Sequence, residues 1–463
     1  MQGSSPNPST AERSSQGSDA ARPNRWAHRL PWILIGLFCL GTAATTVRVV
    51  KQYQTPGPFD PSKQGYCDFH NGIYFPTSAW LRGVSPYGQT YAAEYPVARS
   101  VPFFSPAIFV LHIPWALLPL HVGEVLYFAF SLIVVWWIAA LCSRSAKLPA
   151  GWQRSTTAAV AAGIVLSRGG HITLFDGYFT LLLVAGTLAA IHFGQRRPWL
   201  AAVGLLLASA KPTYILPLGL LLLARGNYRA LVYGAALSIL FAGVGFGWLA
   251  HHQGDGDIAA GMQQLRQQIT ETQDIHRGQL DESPVHSWTR IDLLAVVAKW
   301  TRQDPAEATH LLVMLGLLLP PGAVLWLRQR RGVDDGVAGL TGAIIATAML
   351  VSLYHQSYDA LIVVAAVTGI AVARLDAWQS LPSWQRCLLG LLLATPAFNY
   401  FSTRMVLSRL PIGETGTHLL TSVNGVALTL ALVMLCLLAL KPAADQYPSV
   451  APAPGTDTAP PGR

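Results

Sequence analysis

WILIGLFCLGTAATTV (residues 32–47), YFAFSLIVVWWIAALC (127–142) and ALTLALVMLCLLAL (427–440) decide the fold class. Each is apolar nearly throughout, and with its flanks each approaches the roughly 20 residues that a helix needs to cross a bilayer. Similar runs recur from residue 31 to residue 440, joined mostly by short polar loops. Hydrocarbon offers no water to backbone N–H and C=O groups, so such segments satisfy their own backbone as helices. The weaker, alternating pattern of a transmembrane β-barrel is not found. The expectation is an all-α polytopic membrane protein.

Composition agrees. The 463 residues are 52% hydrophobic and 12% charged, where a soluble domain carries about 25% charge. The net charge of +9 does not point to nucleic acid, because the basic residues are spread among short loops, as the positive-inside bias expects. Cys39, Cys67, Cys142, Cys387 and Cys436 lie far apart, without metal-site or redox spacing. No nucleotide-binding glycine motif is present. Neither a metal nor a cofactor is expected. Residues 1–30 and 441–463 read as disordered cytoplasmic tails, rich in Ser, Pro, Gly and Ala and too poor in apolar side chains to fold. The first apolar run is long and starts late, so it reads as a retained helix and not as a cleavable signal.

Arg22, Arg25 and Arg29 precede the first span, 31–50, and place the N-terminus in the cytoplasm. Residues 51–101 then form a long external loop, rich in aromatics, Gly and Pro. Pro106, Pro114 and Pro119 make 102–142 awkward as one regular helix. A single net crossing there puts Arg144, Lys147 and Arg154 inside; two crossings would invert everything downstream. With the single crossing, spans over 156–168, 174–192, 198–210, 212–224, 228–250, 306–327, 337–354, 357–373, 384–403 and 418–440 follow. The transmembrane domain then covers 31–440 with about twelve helices, in a range of about ten to thirteen, and both termini inside. A second external loop covers 251–304. The short segments on either side of Lys211–Pro212 read as broken half-helices, which are tolerated where they line an enclosed cavity.

On this register the unusual polar residues near the membrane fall on the external side: Asp68, His70, His171, Asp176, Lys211, Arg290, His355, Asp359 and Arg404. Charge beside hydrocarbon is costly and has a partner or a task. Asp68 opens CDFHNGIYFPTSAWLRGVSPYG (67–88), just before an aromatic, weakly amphipathic segment suited to the membrane interface. It reads either as a helix cap or as a general base able to reach a hydroxyl. Asp60 offers a second carboxylate in the same loop. His171 sits in SRGGHITLFDGY (167–178), where two glycines either bring backbones together or make a turn. Lys211, in LASAKPTYILP (207–217), needs an anion or must snorkel outward. His355 and Asp359, in LYHQSYDALIVV (353–364), share a face at spacing i, i+4, as an oriented pair or as a polar helix start. Arg404 in YFSTRMVLSR (400–409) and Arg290 in HSWTR (286–290) are further cations for phosphate or for lipid headgroups.

Five stretches, in order along 30–440, resemble the bacterial integral-membrane glycosyltransferases of family 87, within the GT-C superfamily: DFHNGIYFPTSAWLRGVSPYG (68–88), FFSPAIFVLHIPWALLPL (103–120), RGGHITLFDGYFTLLL (168–183), ASAKPTYILPLGLLLLARGNYRA (208–230) and YHQSYDALIVV (354–364). Members include polyprenyl-phosphate-mannose-dependent α-1,2-mannosyltransferases. The resemblance implies a GT-C-like bundle in the cell inner membrane whose first external loop carries interfacial helices. It implies inverting transfer of a hexose from a polyprenyl-phosphate donor to a lipid-linked or glycan acceptor on the external face. Asp68 would be the catalytic base. Lys211 would correspond to the family's Lys–Pro motif, and His355, Tyr358 and Asp359 to its late polar cluster. Gly170–His171 departs from the family's frequent Gly–Gln pair. A lipid-linked saccharide transporter without chemistry, and a glycan polymerase or ligase, stand as alternatives at this point; broken helices and buried charges suit a transporter as well.

Overall fold

The computed structural model describes residues 25–58, 60, 62–97, 105–277 and 283–441. Nearly all of the two expected tails, the end of the first external loop, Phe103–Phe104, and residues 278–282 of the second loop lie outside the described residues. Among the described residues the chain is helical, and strand pairing is limited to two isolated bridges, Tyr53 with Gly65 and Arg290 with Gln356.

The chain opens with α1 (Arg25–Lys51), which begins inside the stretch read as a tail. A π-helical turn, Phe69–Tyr74, then runs directly into α2 (Phe75–Leu81), and α3 (Gln89–Glu94) follows. The run 102–142 is a short helix, α4 (Ala107–Ala116), and a long one, α5 (Leu120–Ser145). Pro119 separates them with extended backbone at ψ 140°. Next come α6 (Ala150–Leu166), α7 (Arg168–Asp176), α8 (Thr180–Phe193), α9 (Pro198–Ala208), α10 (Pro212–Ala224) and α11 (Tyr228–Gln253). Residues 251–304, expected as a second external loop, hold two helices, α12 (Ile258–Arg277) and α13 (Leu293–Thr301). α14 (Glu307–Arg330) and α15 (Leu340–Ser352) precede a 3-10 turn, Ser357–Val363, that continues as α16 (Val364–Val372). Short α17 (Asp376–Gln379), α18 (Ser383–Phe398), short α19 (Arg404–Leu407) and long α20 (Glu414–Leu440) are the last helices among the described residues.

Five of these, α1, α5, α11, α14 and α20, are long and apolar enough to cross a membrane. The pair α6–α7, bent by 67°, adds a sixth if it is one broken span. α4, α8, α9, α10, α15 and the run Ser357–Val372 are shorter apolar helices. The long helices turn apolar side chains outward: Leu40 and Val47 on α1, Ile239 and Val244 on α11, Leu312 and Leu319 on α14, Leu430 and Leu437 on α20. Such a rim is unfavourable in water and matched in lipid. The chain is a multi-pass, helical membrane protein.

The core lies inside that rim. Every residue of α15 is buried, and nearly every residue of α8. Glycine lets α8 and α9 touch backbone to backbone: a Cβ on Gly186 would lie 2.6 Å from the Gly204 carbonyl oxygen, the close approach that small residues allow between membrane helices. Following α10 from Lys211 to Arg225, or α14 from His310 to Arg328, leads from one end of the bundle to the other. At the far end charges are paired. Arg225 meets both oxygens of Asp334 at 2.8 Å, and Arg328 meets Asp335 at 3.1 Å.

Candidate active site

A cavity of about 2200 Å³ opens at the near end. It is built from helix breaks and helix ends: the end of α1, the start of the π-helical turn, the α6–α7 and α9–α10 junctions, the segment before the 3-10 turn, and the segment around α19.

Asp68 lines it, half-buried. Although Asp68 occupies the cap position of the π-helical turn, its carboxylate makes no capping hydrogen bond. Asp176, at the end of α7, lines the same cavity. Two backbone features join them. The Tyr66 amide donates to the Phe175 carbonyl at 2.8 Å. Gly177 ends α7 with φ +73°, and a Cβ there would lie 2.8 Å from the Phe69 Cβ. A left-handed cap and a close approach both call for glycine. The two carboxylates consequently lie within electrostatic reach of one another, with Arg48 near Asp176.

Arg48 belongs to the last turn of α1, where a cation suits the helix dipole. Its guanidinium lies 4.0 Å over the Phe175 ring, donates from Nε to Gln52 Oε1 at 3.2 Å, and reaches His171 Nε2 from Nη1 at 2.6 Å. The Thr45 hydroxyl donates to the Gly41 carbonyl at 3.0 Å, so it accepts from His171 Nδ1, also at 3.0 Å. That direction makes His171 a neutral Nδ1–H tautomer whose Nε2 lone pair holds Arg48. The two glycines before it bring backbones together and do not make a turn, since both lie inside α7. Ser167 caps α7 by accepting from the Gly170 amide at 3.0 Å. A Cβ on Gly170 would lie 1.9 Å from the Ile164 carbonyl oxygen, and one on Gly169 would lie 3.2 Å from the Tyr358 Cα.

Lys211 stands between α9 and α10 with extended backbone and lines the cavity. It has found its anion within the protein: Nζ lies 3.1 Å from Asp359 Oδ2. Three tyrosine rings, of Tyr214, Tyr354 and Tyr358, surround it with centroids 5.5–5.7 Å away. Asp359 is fully buried and also accepts from the Tyr214 hydroxyl at 2.7 Å, the Gln356 amide at 2.9 Å and His355 Nδ1 at 3.2 Å. His355 and Asp359 meet across the capped start of the 3-10 turn, not on one face of a regular α-helix. They stand behind the wall, whereas Tyr358 is on it.

The remaining residues divide. Exposed Arg404 lines the cavity and, among the described residues, makes no ion pair. Arg290 does not line it; Arg290 grips both oxygens of Asp292 at 2.9 Å, and Asp292 in turn caps α13 through the Ala295 amide. Asp60 also lies off the wall, where the Ser62 hydroxyl and amide hold its carboxyl below the usual range. Arg48 and Arg168 are wall residues that the sequence reading did not single out. One signal was available for Arg48, a cation at the end of a span that the charge pattern predicts to be external, against the positive-inside bias. Arg168 was hidden beside His171 in a segment read for its glycines. Among the described residues no group of three or more His, Cys, Asp or Glu side chains is arranged to hold a metal ion.

The family model described as glycosyltransferase family 87 matches residues 103–353, more than half of the chain. The chain belongs to glycosyltransferase family 87. Membership in this family means sugar transfer, here carried out by a helical membrane protein. The matched stretch of the family 87 chain holds Arg168, His171, Asp176 and Lys211; Asp68 before it and Arg404 after it line the same cavity. The chain matches no curated protein and no solved structure.

Proposed function

We propose that this glycosyltransferase moves a hexose, with mannose as the first candidate, from a polyprenyl-phosphate donor to a hydroxyl of a lipid-linked or glycan acceptor. The reaction takes place on the external face of the cell inner membrane, in a bundle of about twelve crossings with both termini cytoplasmic. One observation carries the reading: in a family 87 chain, the Asp68 carboxylate and several cations line one cavity. A base and an anion site on opposite sides of a sugar are what direct displacement from a phosphate requires.

In the proposed step Asp68 takes the proton of the acceptor hydroxyl as its oxygen attacks the anomeric carbon. The bond from that carbon to the phosphate oxygen breaks, and the polyprenyl phosphate leaves with the electron pair. Attack opposite the leaving group inverts the anomeric centre. Arg404, and Lys211 to the extent that Asp359 leaves its charge unmet, add positive potential beside the phosphate. Asp359, His355 and Tyr358 act through Lys211, as its counterion and its cage. Arg290 organises the loop before α13, and Asp60 contributes only as a rim charge.

Membranes containing the protein, supplied with a panel of radiolabelled polyprenyl-phosphate sugars, are expected to build one new glycosylated product from one donor. Folded protein that forms no product from any of them would count against this donor class.

A further inference from the structure

Four arginines are buried among the described residues: Arg168, Arg225, Arg290 and Arg328. Three have an aspartate: Arg225 with Asp334, Arg290 with Asp292, and Arg328 with Asp335. Arg168 is the most deeply buried, at 0% exposure, and has none among the described residues. Its Nη1 donates to the Asn399 carbonyl at 3.2 Å and to the Ser402 hydroxyl, both neutral. Its Nε and Nη2 find no acceptor. A buried charge left without a counterion is costly and is retained only where something compensates it.

The location sharpens the anomaly. Arg168 is the first residue of α7, whose first turn contains no acid. Amides at a helix start already carry partial positive charge, so a cation there adds like to like. Arg168 also lines the cavity, with the Trp288 ring 5.8 Å from its guanidinium. Lys299 is buried without a hydrogen-bond partner as well, but it does not line the cavity. Lys211 lines it, yet its charge is already met by Asp359. The cavity wall therefore holds an uncompensated guanidinium, the group best matched to a phosphate; its Nε and Nη2 are covered in this structure, so a phosphate reaches them once the covering side chains shift.

We propose that Arg168 is the principal phosphate-binding residue of the cavity and that it holds the phosphate of the polyprenyl donor and of the departing polyprenyl phosphate. The identity of the anion rests on the transferase reading. The test does not, because it measures binding without transfer.

The purified full-length protein is titrated with sugar-free polyprenyl phosphate, with phosphatidylglycerol and with inorganic phosphate, following affinity and thermal unfolding. Polyprenyl phosphate is expected to bind and to raise the wild-type Tm. Arg168→Gln is expected to bind it about tenfold or more weakly, the loss of a charge-assisted bond. Without ligand its Tm should be no lower than the wild type's, since the uncompensated charge is gone; a merely structural arginine would give the opposite sign. Equal affinity in the two proteins overturns the proposal. So does an equal Tm rise with phosphatidylglycerol, which would make this a headgroup contact, or inorganic phosphate binding as tightly as the lipid. If the Gln protein does not fold, Arg168→Lys keeps the charge without the planar fork; weaker binding at an unchanged Tm supports the proposal, and unchanged binding overturns it.

Discussion

At Asp359 one fully buried carboxylate receives Lys211 at 3.1 Å, Tyr214 at 2.7 Å, the Gln356 amide at 2.9 Å and His355 at 3.2 Å. Removing one member of a buried pair strands the other charge, at a cost of about 3–5 kcal/mol. Asp359→Asn is expected to lose stability of that order in denaturant unfolding, and activity with it. Replacing the pair together, by Lys211→Met with Asp359→Leu, is expected to recover only the part of the loss due to the stranded lysine, since the Tyr214, Gln356 and His355 donors stay unmet, and to restore none of the activity. That contrast separates a structural role from a functional one. Lys299 gives a pH dependence. Burial lowers its amine from the usual 10.5 to about 8, against the attraction of Asp292. Between pH 8 and 10.5 the unfolded chain then holds more protons than the folded one, so stability from this residue rises with pH across that window and its cost is fully present below pH 8. Lys299→Met is expected to stabilise the protein at pH 7 and to flatten that slope, as read by thermal unfolding at a series of pH values. The sequence showed Lys211 and Asp359 as separate oddities because each is polar in an apolar run. It could not show that they are partners, because 148 residues separate them and the packing of α10 on α15, which leads into the 3-10 turn, brings them together.

The elements of the site are interruptions. α6 gives way to α7 at a 67° bend, α9 to α10 at Ser209–Lys211, and α5 is cut from α4 by Pro119. The first two breaks place polar groups, Arg168 with His171 and Lys211 with Thr213, on the cavity wall, the setting in which broken helices are tolerated. Gly177 shows how narrow the tolerance is. Alanine there meets the left-handed backbone cost of about 1–2 kcal/mol and the Phe69 contact at 2.8 Å. Gly177→Ala is expected to leave the bundle folded while shifting Asp68 against Asp176, and a shift of about 1 Å costs about 100-fold in rate. Circular dichroism beside a transfer assay reads both. The Lys211–Pro212 break was legible because proline and lysine punctuate an apolar run. The π-helical turn after Asp68 was not, since no residue in FHNGIY announces a wider turn; its geometry depends on packing against α4 and α5.

The whole molecule is asymmetric along the bundle. Arg225 and Arg328 are paired at one end, while cations and carboxylates share an open cavity at the other. Hydrophobic runs made the helical membrane class plain from the sequence alone. The sequence grouped Asp68 and Asp176 on one side of the membrane, but the place of Arg48 and Arg168 beside them on the cavity wall was beyond it, because wall residues come from helix ends scattered over the chain. The proposed orientation puts the cavity outside. A cysteine at Ser62, on the cavity rim, is expected to react with a membrane-impermeant maleimide in intact cells, in a background without other reactive cysteines. One at Gly332, by the far end, is expected to react only after the membrane is opened; the reverse pattern would invert the topology. Membership in a glycosyltransferase family favours chemistry over pure transport, and the step assigned to Asp68 is the centre of that chemistry. The most direct test is transfer from a labelled polyprenyl-phosphate sugar by wild type and Asp68→Asn at equal abundance in membranes. Label reaching a new product with the wild type and falling by at least about 100-fold with the variant, as for loss of a general base, is the predicted result. Equal transfer by the two proteins would contradict it.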